Sequence, residues 1–208
     1  MERTKFNIQD VFCTSKRKML TLAKNDITIL VGKNGYGKSS LLQGIEQWAA
    51  NNKIPHVFWS DTRYGRNEGM SILGFHEDLD WLSRMAFRSE GQTMLTSITR
   101  FFISGCSAAT RNLKPGQNQI FLLIDQLDSG LDVHQIRYVK RVLMDTIIPD
   151  MRDRCKLDVY VVMTANSYEM VHGEDCVDPN TRKHMTFNTL DEYAKYIDSQ
   201  YTEEDGEE

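Results

Sequence analysis

Apolar positions along this chain switch between a two-residue and a helical period, and the switches predict alternating strands and helices. From about Phe6 to Val31, short apolar stretches interrupted by Lys16-Arg17-Lys18 read as strands of a small β-rich edge, ending in the unbroken run Ile27 to Val31. Leu41, Leu42, Ile45, Trp48 and Ala49 recur at helical spacing through Ser40 to Ala50, and His56 to Trp59 follows as a buried strand. Strand, loop, helix and strand then make one βαβ unit. From Asp61 to Arg88 the chain is polar and punctuated by glycine; it turns helical near Asp80 to Phe87 and again over Gln92 to Phe102. Arg111 to Gln119, with Pro115-Gly116, reads as a loop.

Two near-continuous apolar strands, Ile120 to Ile124 and Val159 to Met163, flank an amphipathic helix from about Val133 to Ile147 that Pro149 helps to end. Strands of this kind imply a mostly parallel sheet covered on both faces. A strand at His184 to Phe187 and a helix from Leu190 to about Tyr201 close the pattern, and the acidic residues 203–208 read as a solvated, frayed tail. The expected fold class is α/β: a single domain over 1–202, with an N-terminal antiparallel β edge and a short helical lobe at about 64–110.

Composition narrows the picture. A chain of 208 residues suits one domain with a real core. A net charge of -4 and a pI near 5.8 argue against a broad nucleic-acid-binding face, so nucleic acid is not indicated, although a local basic patch is compatible with that balance. Cys13, Cys106, Cys155 and Cys176 are scattered without a C-x-x-C pair, which suggests neither a zinc site nor a disulfide framework and fits a reducing cytoplasm. No apolar run approaches the roughly 20 residues that cross a bilayer, and the charged N-terminus leads into no signal-like segment. His172, Asp175 and Cys176 match no standard zinc spacing and read as a surface loop, and Phe12 reads as core before it reads as a partner for adenine.

The run Gly32-Lys33-Asn34-Gly35-Tyr36-Gly37-Lys38-Ser39 fits the phosphate-binding pattern G-x-x-x-x-G-K-S, between a strand and a helix as that pattern requires. Successive backbone N–H groups of such a turn, with the positive end of the helix it leads into, attract phosphate oxygens. Asn34, Gly35, Tyr36, Gly37, Lys38 and Ser39, with Ser40 at the helix start, are therefore the candidate ligands of ATP phosphates, and Ser39 is also a magnesium ligand. Phe121-Leu122-Leu123-Ile124-Asp125 is an apolar strand ending in a carboxylate, an arrangement that places Asp125 beside the loop to hold magnesium through its water shell.

After Asp125 comes Gln126-Leu127-Asp128-Ser129-Gly130-Leu131-Asp132, with Ser89-Glu90-Gly91-Gln92 upstream. In this order the motifs over Ile27 to Ser167 resemble those of the ATP-binding-cassette ATPases, which carry a phosphate loop, a signature close to L-S-G-G-Q, an acidic strand followed by E-P-x-S-x-L-D, and a switch residue after the next strand. The resemblance implies that Ser89, Gly91 and Gln92 close the nucleotide site of an opposite protomer, that Asp132 contacts the partner, and that Asn166 stands near the switch position. It also implies a two-fold, head-to-tail homodimer around two shared ATP sites. On its own, Ser89 to Gln92 reads equally as a helix start with a capping box.

Three positions depart from the family's pattern. Gln126 stands where the family has the glutamate that activates water; an amide accepts no proton at neutral pH, so hydrolysis is expected to be slow while binding survives, and the near-isosteric swap is the one an experimenter would engineer. Asn166 replaces a histidine and cannot titrate. No glutamine occurs between Gln47 and Gln92, where the family places one that senses magnesium and water; Asp61 is the substitute candidate, with a turn-forming Asp as the alternative.

Tyr64 to Phe87 leaves room for no coiled-coil arms and shows no heptad run, unlike chromosome-maintenance relatives, and it is short and polar for a transporter cassette. The expectation is a soluble ATPase head whose ATP-driven pairing gates an effector or partner protein in a DNA-repair or anti-phage defence assembly. The alternatives are the nucleotide-binding subunit of a membrane transporter and a naturally inactive ATP-sensing scaffold.

Overall fold

The computed structural model describes residues 2–8, 18–60, 103–108, 110–111, 113–128 and 131–201. In chain order the elements are β1 (Arg3–Ile8), β2 (Lys18–Ala23), β3 (Asp26–Leu30), α1 (Lys38–Asn51), β4 (His56–Ser60), β5 (Gln119–Asp125), α2 (Val133–Val142), β6 (Asp158–Thr164), α3 (Tyr168–Val171), β7 (Asp175–Val177), β8 (His184–Met185) and α4 (Leu190–Asp198). Of the expected lobe at 64–110, only helical residues 103–108 and 110 lie among those described.

Among the described residues the central sheet has six strands in the order β4-β5-β6-β3-β7-β8, parallel from β4 to β7, with β8 antiparallel at the edge. β1 and β2 form a separate antiparallel hairpin. The sheet is covered on both faces, as its apolar strands predict. Ile120, Leu122 and Ile124 of β5 join one core with α2, Phe187 and Tyr193. Their neighbours Phe121 and Leu123 join the other, with the hairpin and α1. This is the two-residue alternation of a strand, put to use twice. Phe6 fastens the hairpin: its ring lies edge-on to Trp48, Phe121 and Tyr160, with centroids 5.3, 5.3 and 5.0 Å away.

The structure corrects several expectations. The expected βαβ unit forms, with β3 and β4 parallel in one sheet, but β5 and β6 lie between its two strands, so the crossover passes two later strands to reach the sheet edge. Strand order depends on which face each crossover helix covers, and local pattern does not carry that. Pro149 does not end its helix. After α2 the helical backbone continues in wide turns over Leu143–Ile147 and Asp150–Arg154, with Pro149 itself at φ -60. A proline supplies that φ unaided, and a wide turn loosens the contact between its ring and the preceding turn.

Asp175 and Cys176 do not sit in a surface loop. They form β7, buried against β3. The Asp175 carboxylate, whose side chain is 4% exposed, accepts from Arg3 Nη2 at 2.8 Å and lies 2.8 Å from His184 Nδ1, tying the hairpin to the sheet edge. A three-residue strand is too short to show a period. The expected strand over His184 to Phe187 is a two-residue β8 plus an isolated bridge from Phe187 to His172, and the last helix stops at Asp198 rather than Tyr201.

Candidate functional site

The carboxyl ends of β3, β5 and β6, adjacent or nearly so in the sheet, deliver the candidate residues to one place. Ligands of open α/β sheets bind at such a position. From β3 the chain runs through Val31 and Gly32 into a tight turn, in which the Tyr36 N–H donates to Lys33 O at 3.2 Å. Gly35 at φ 76 and Gly37 at φ 90 take left-handed conformations that are costly for other residues. Gly37 is the N-cap of α1 and brings no side-chain cap, and the first turn of α1 carries no acidic residue.

Among the described residues the other two helices of comparable length are closed at the same point. Asp132 and Gln135 form a capping box on α2, and Thr189 and Glu192 form one on α4. The open amide donors at the start of α1, with the helix dipole behind them, form an anion site.

Lys38 is buried, and its Nζ donates to Gly32 O at 2.6 Å and to Lys33 O at 3.0 Å, curled back over the loop. Burial holds this ammonium below its ordinary pKa of 10.5, opposed by the charges of Asp128 and Asp125. Ser39 Oγ donates to Asp125 Oδ1 at 2.9 Å, and Thr164 Oγ1 donates to the same oxygen at 2.8 Å. Thr164 Oγ1 also accepts the N–H of Gln126 at 2.8 Å. A buried carboxylate held by two hydroxyls, beside an ammonium and a row of open amides, suits a phosphate ester with a hard divalent cation: Ser39 and Asp125 supply the oxygen ligands such a cation takes. Asn34, Gly35, Tyr36, Gly37, Lys38, Ser39 and Ser40 thus all lie in the loop or in the first turn of α1.

Gln126 follows directly on Asp125 and holds φ 55, left-handed for a non-glycine residue. Asp132 is exposed at the start of α2, where one carboxylate oxygen accepts the Gln135 N–H at 2.8 Å. Asn166 ends the segment after β6: its N–H donates to Asp128 Oδ2 at 2.6 Å, its carbonyl accepts from the Tyr193 hydroxyl at 3.1 Å, and its side chain is exposed. Asp61, Ser89, Gly91, Gln92 and Phe12 lie outside the described residues.

Sequence reasoning missed Thr164. The signal was available: it is the polar end of an apolar strand, as Asp125 is of β5. It also missed the contacts that the C-terminal part of the chain makes with the phosphate loop. Gln200 Oε1 accepts the Lys33 N–H at 2.7 Å, Tyr196 donates to Val31 O at 3.3 Å, and Asn180 Nδ2 donates to Tyr36 O at 3.3 Å. The Tyr196 hydroxyl also reaches Asp178 Oδ2 at 2.9 Å, and burial together with that bond raises its pKa far above the ordinary value. The Lys33 ammonium stands 4.6 Å from the centre of the Tyr201 ring. No signal in the sequence foretells these contacts.

No protein-family model matches this chain, and no curated protein is significantly similar to it. Among solved structures, a nucleotide-free ATP-binding cassette from an ABC transporter is similar over 95% of this chain and 94% of that one, at 15% identity and a TM-score of 0.45. An ATP-binding subunit of an ABC transporter is similar over 94% of this chain and 99% of its own, at 11% identity and a TM-score of 0.47.

Proposed function

We propose that this chain binds magnesium and ATP at the turn 32–39 and works as a cassette-type ATPase, paired head to tail with a second copy of itself. The observation that carries the reading is the meeting of Lys38, the uncapped start of α1 and the Ser39–Asp125 hydrogen bond of 2.9 Å at one end of the sheet. In this reading the loop amides and Lys38 hold the β- and γ-phosphates. Ser39 and Asp125 would hold the cation, which would neutralise charge on the phosphates. Gln126 stands at the water-activating position, where an amide positions water without taking its proton, so turnover is slow. Ser89, Gly91 and Gln92 close the partner's site, Asp132 meets the partner, and Asn166 contacts the γ-phosphate. ATP then bridges two copies, and its hydrolysis releases them.

The pairing gates a partner protein, with DNA repair or anti-phage defence as the biological setting drawn from the motif resemblance. The nucleotide-binding subunit of a transporter shares the same site chemistry and is the second reading. A neighbouring gene for a multi-spanning membrane protein would favour transport, and one for a nuclease or another toxic effector would favour gating. Among the described residues no helix is long and apolar enough to cross a membrane.

Light scattering with magnesium and ATP, on this chain and on Gln126→Glu with phosphate release followed in parallel, tests the proposal. Pairing here, with faster turnover and weaker trapping in the glutamate form, is expected, as is loss of pairing with retained nucleotide binding in Ser89→Arg. Pairing that survives Ser89→Arg would overturn the head-to-tail arrangement, and absence of nucleotide binding would overturn the site itself.

A further inference from the structure

We propose that Asp128 is a positioning residue that locks the switch position Asn166 to the water-activating position Gln126, so that the two respond to the γ-phosphate as one unit; this rests on the nucleotide reading above. The Asp128 Oδ2 atom accepts two consecutive N–H groups, those of Asn166 and Ser167, each at 2.6 Å. These are short, charge-assisted bonds between the segment after β5 and the segment after β6. Ser167 is the N-cap of α3 and its hydroxyl makes no capping bond; the Asp128 carboxylate instead takes the backbone N–H of Ser167 itself, as the Gln135 side chain takes that of Asp132 on α2.

The arrangement is costly. Among the described residues Asp128 Oδ1 is buried without a hydrogen-bond partner, and so is Ser167 Oγ. A carboxylate oxygen buried without a partner costs stability even on a half-buried side chain, so its presence here points to a task beyond stability. The geometry supplies one. Leu127, between Gln126 and Asp128, is fully buried in the core, and Asp132 caps α2, so the described parts of segment 126–132 are anchored on both sides of Asp128. On the opposing side the main chain of Asn166 is held at its N–H by Asp128 and at its carbonyl by Tyr193, which leaves its exposed side chain as the part able to answer a ligand.

A pull on Asn166 is therefore transmitted through two short bonds to a residue two positions from Gln126. Asp128 also acts electrostatically on Lys38, which places its charge within reach of the phosphate loop. The double contact requires an acceptor with two free lone pairs and enough reach. Asn at this position would keep it, whereas Ala would not.

The test is the preference for ATP over ADP, measured as the ratio of dissociation constants with magnesium in this slow-turnover chain and in Asn166→Ala, Asp128→Ala, Asp128→Asn and the double alanine variant. Each single alanine variant is expected to lose about tenfold of the preference, the size of one charge-assisted bond. The double variant should lose no more than either single one, because both act through the same contact. Asp128→Asn should keep most of the preference. If Asp128→Ala proves unfolded by circular dichroism, Asp128→Ser, too short to span both amides, is read in its place. An unchanged preference in Asp128→Ala, or losses that multiply in the double variant, would overturn the inference while leaving the nucleotide site standing. Failure of the unaltered chain to bind either nucleotide overturns the site reading and this inference together, and is distinguishable from both.

Discussion

Ser39 Oγ and Asp125 Oδ1 meet at 2.9 Å although 86 positions separate them in the chain, and this contact closes the phosphate loop onto the end of β5. Ser39 is the second residue of α1, and Asp125 is the last of β5. Each is placed by its own element, and the sheet brings the elements together. Thr164, from the strand between β3 and β5, completes the group by donating to the same carboxylate oxygen.

Lys38→Ala is expected to weaken nucleotide binding by about 10- to 100-fold, the range for a charge-assisted hydrogen bond, while leaving the fold intact. Equilibrium titration with a fluorescent ATP analogue checks the first part and circular dichroism the second.

Binding should also depend on alkaline pH, with a definite sign. Burial lowers the Lys38 pKa from 10.5 in the free protein, and a bound polyphosphate beside the ammonium raises it again. Nucleotide binding should therefore take up protons in the alkaline range below 10.5, and affinity should fall as pH rises through the lowered value. Calorimetric titrations in buffers of different ionisation enthalpy measure the uptake. For the fold alone the buried charge is a cost that is present at neutral pH and relieved as pH rises, since the unfolded chain then binds the extra proton.

Thr164→Val keeps the shape of the side chain and removes its hydroxyl. That leaves the Gln126 N–H without its acceptor and takes one donor from buried Asp125. A loss of about 1–3 kcal/mol in urea unfolding is expected, with turnover in a Gln126→Glu background reduced more than nucleotide affinity. Equal losses in affinity and turnover would contradict the placement of Thr164 behind the reacting end.

Gln126 holds φ 55, where a side chain is strained and glycine is not. Gln126→Gly should raise stability by about 0.5–1 kcal/mol, the relief being larger than the entropy that glycine adds to the unfolded chain. Chemical denaturation measures this. An outright loss of stability would mean that the glutamine side chain contributes more than its backbone costs.

Gln200→Ala removes the acceptor of the Lys33 N–H and tests whether the C-terminal segment shapes the phosphate loop. Nucleotide affinity should fall by about fivefold, the value of one neutral hydrogen bond, with little change in the melting temperature. Unchanged affinity would show that the loop holds its shape without the contact.

The phosphate loop was legible because its chemistry is contiguous: one eight-residue run carries both glycines with left-handed φ, the lysine and the serine. Asp125 was legible for a related reason, as the single carboxylate that ends an unbroken apolar strand. The alternation within β5 likewise determined that the sheet has two covered faces, since Ile120 and Phe121 must point in opposite directions. Tertiary structure alone decided the rest. Nothing local says that β5 and β6 lie between β3 and β4, because the path of a crossover depends on the packing of whole helices. Thr164 reaches Asp125, Asp128 spans the amides of Asn166 and Ser167, and Gln200 reaches Lys33 only once those strands are ordered. A hydrogen bond acts over about 3 Å of space whatever the separation along the chain, so partners far apart in sequence leave no trace in any local pattern.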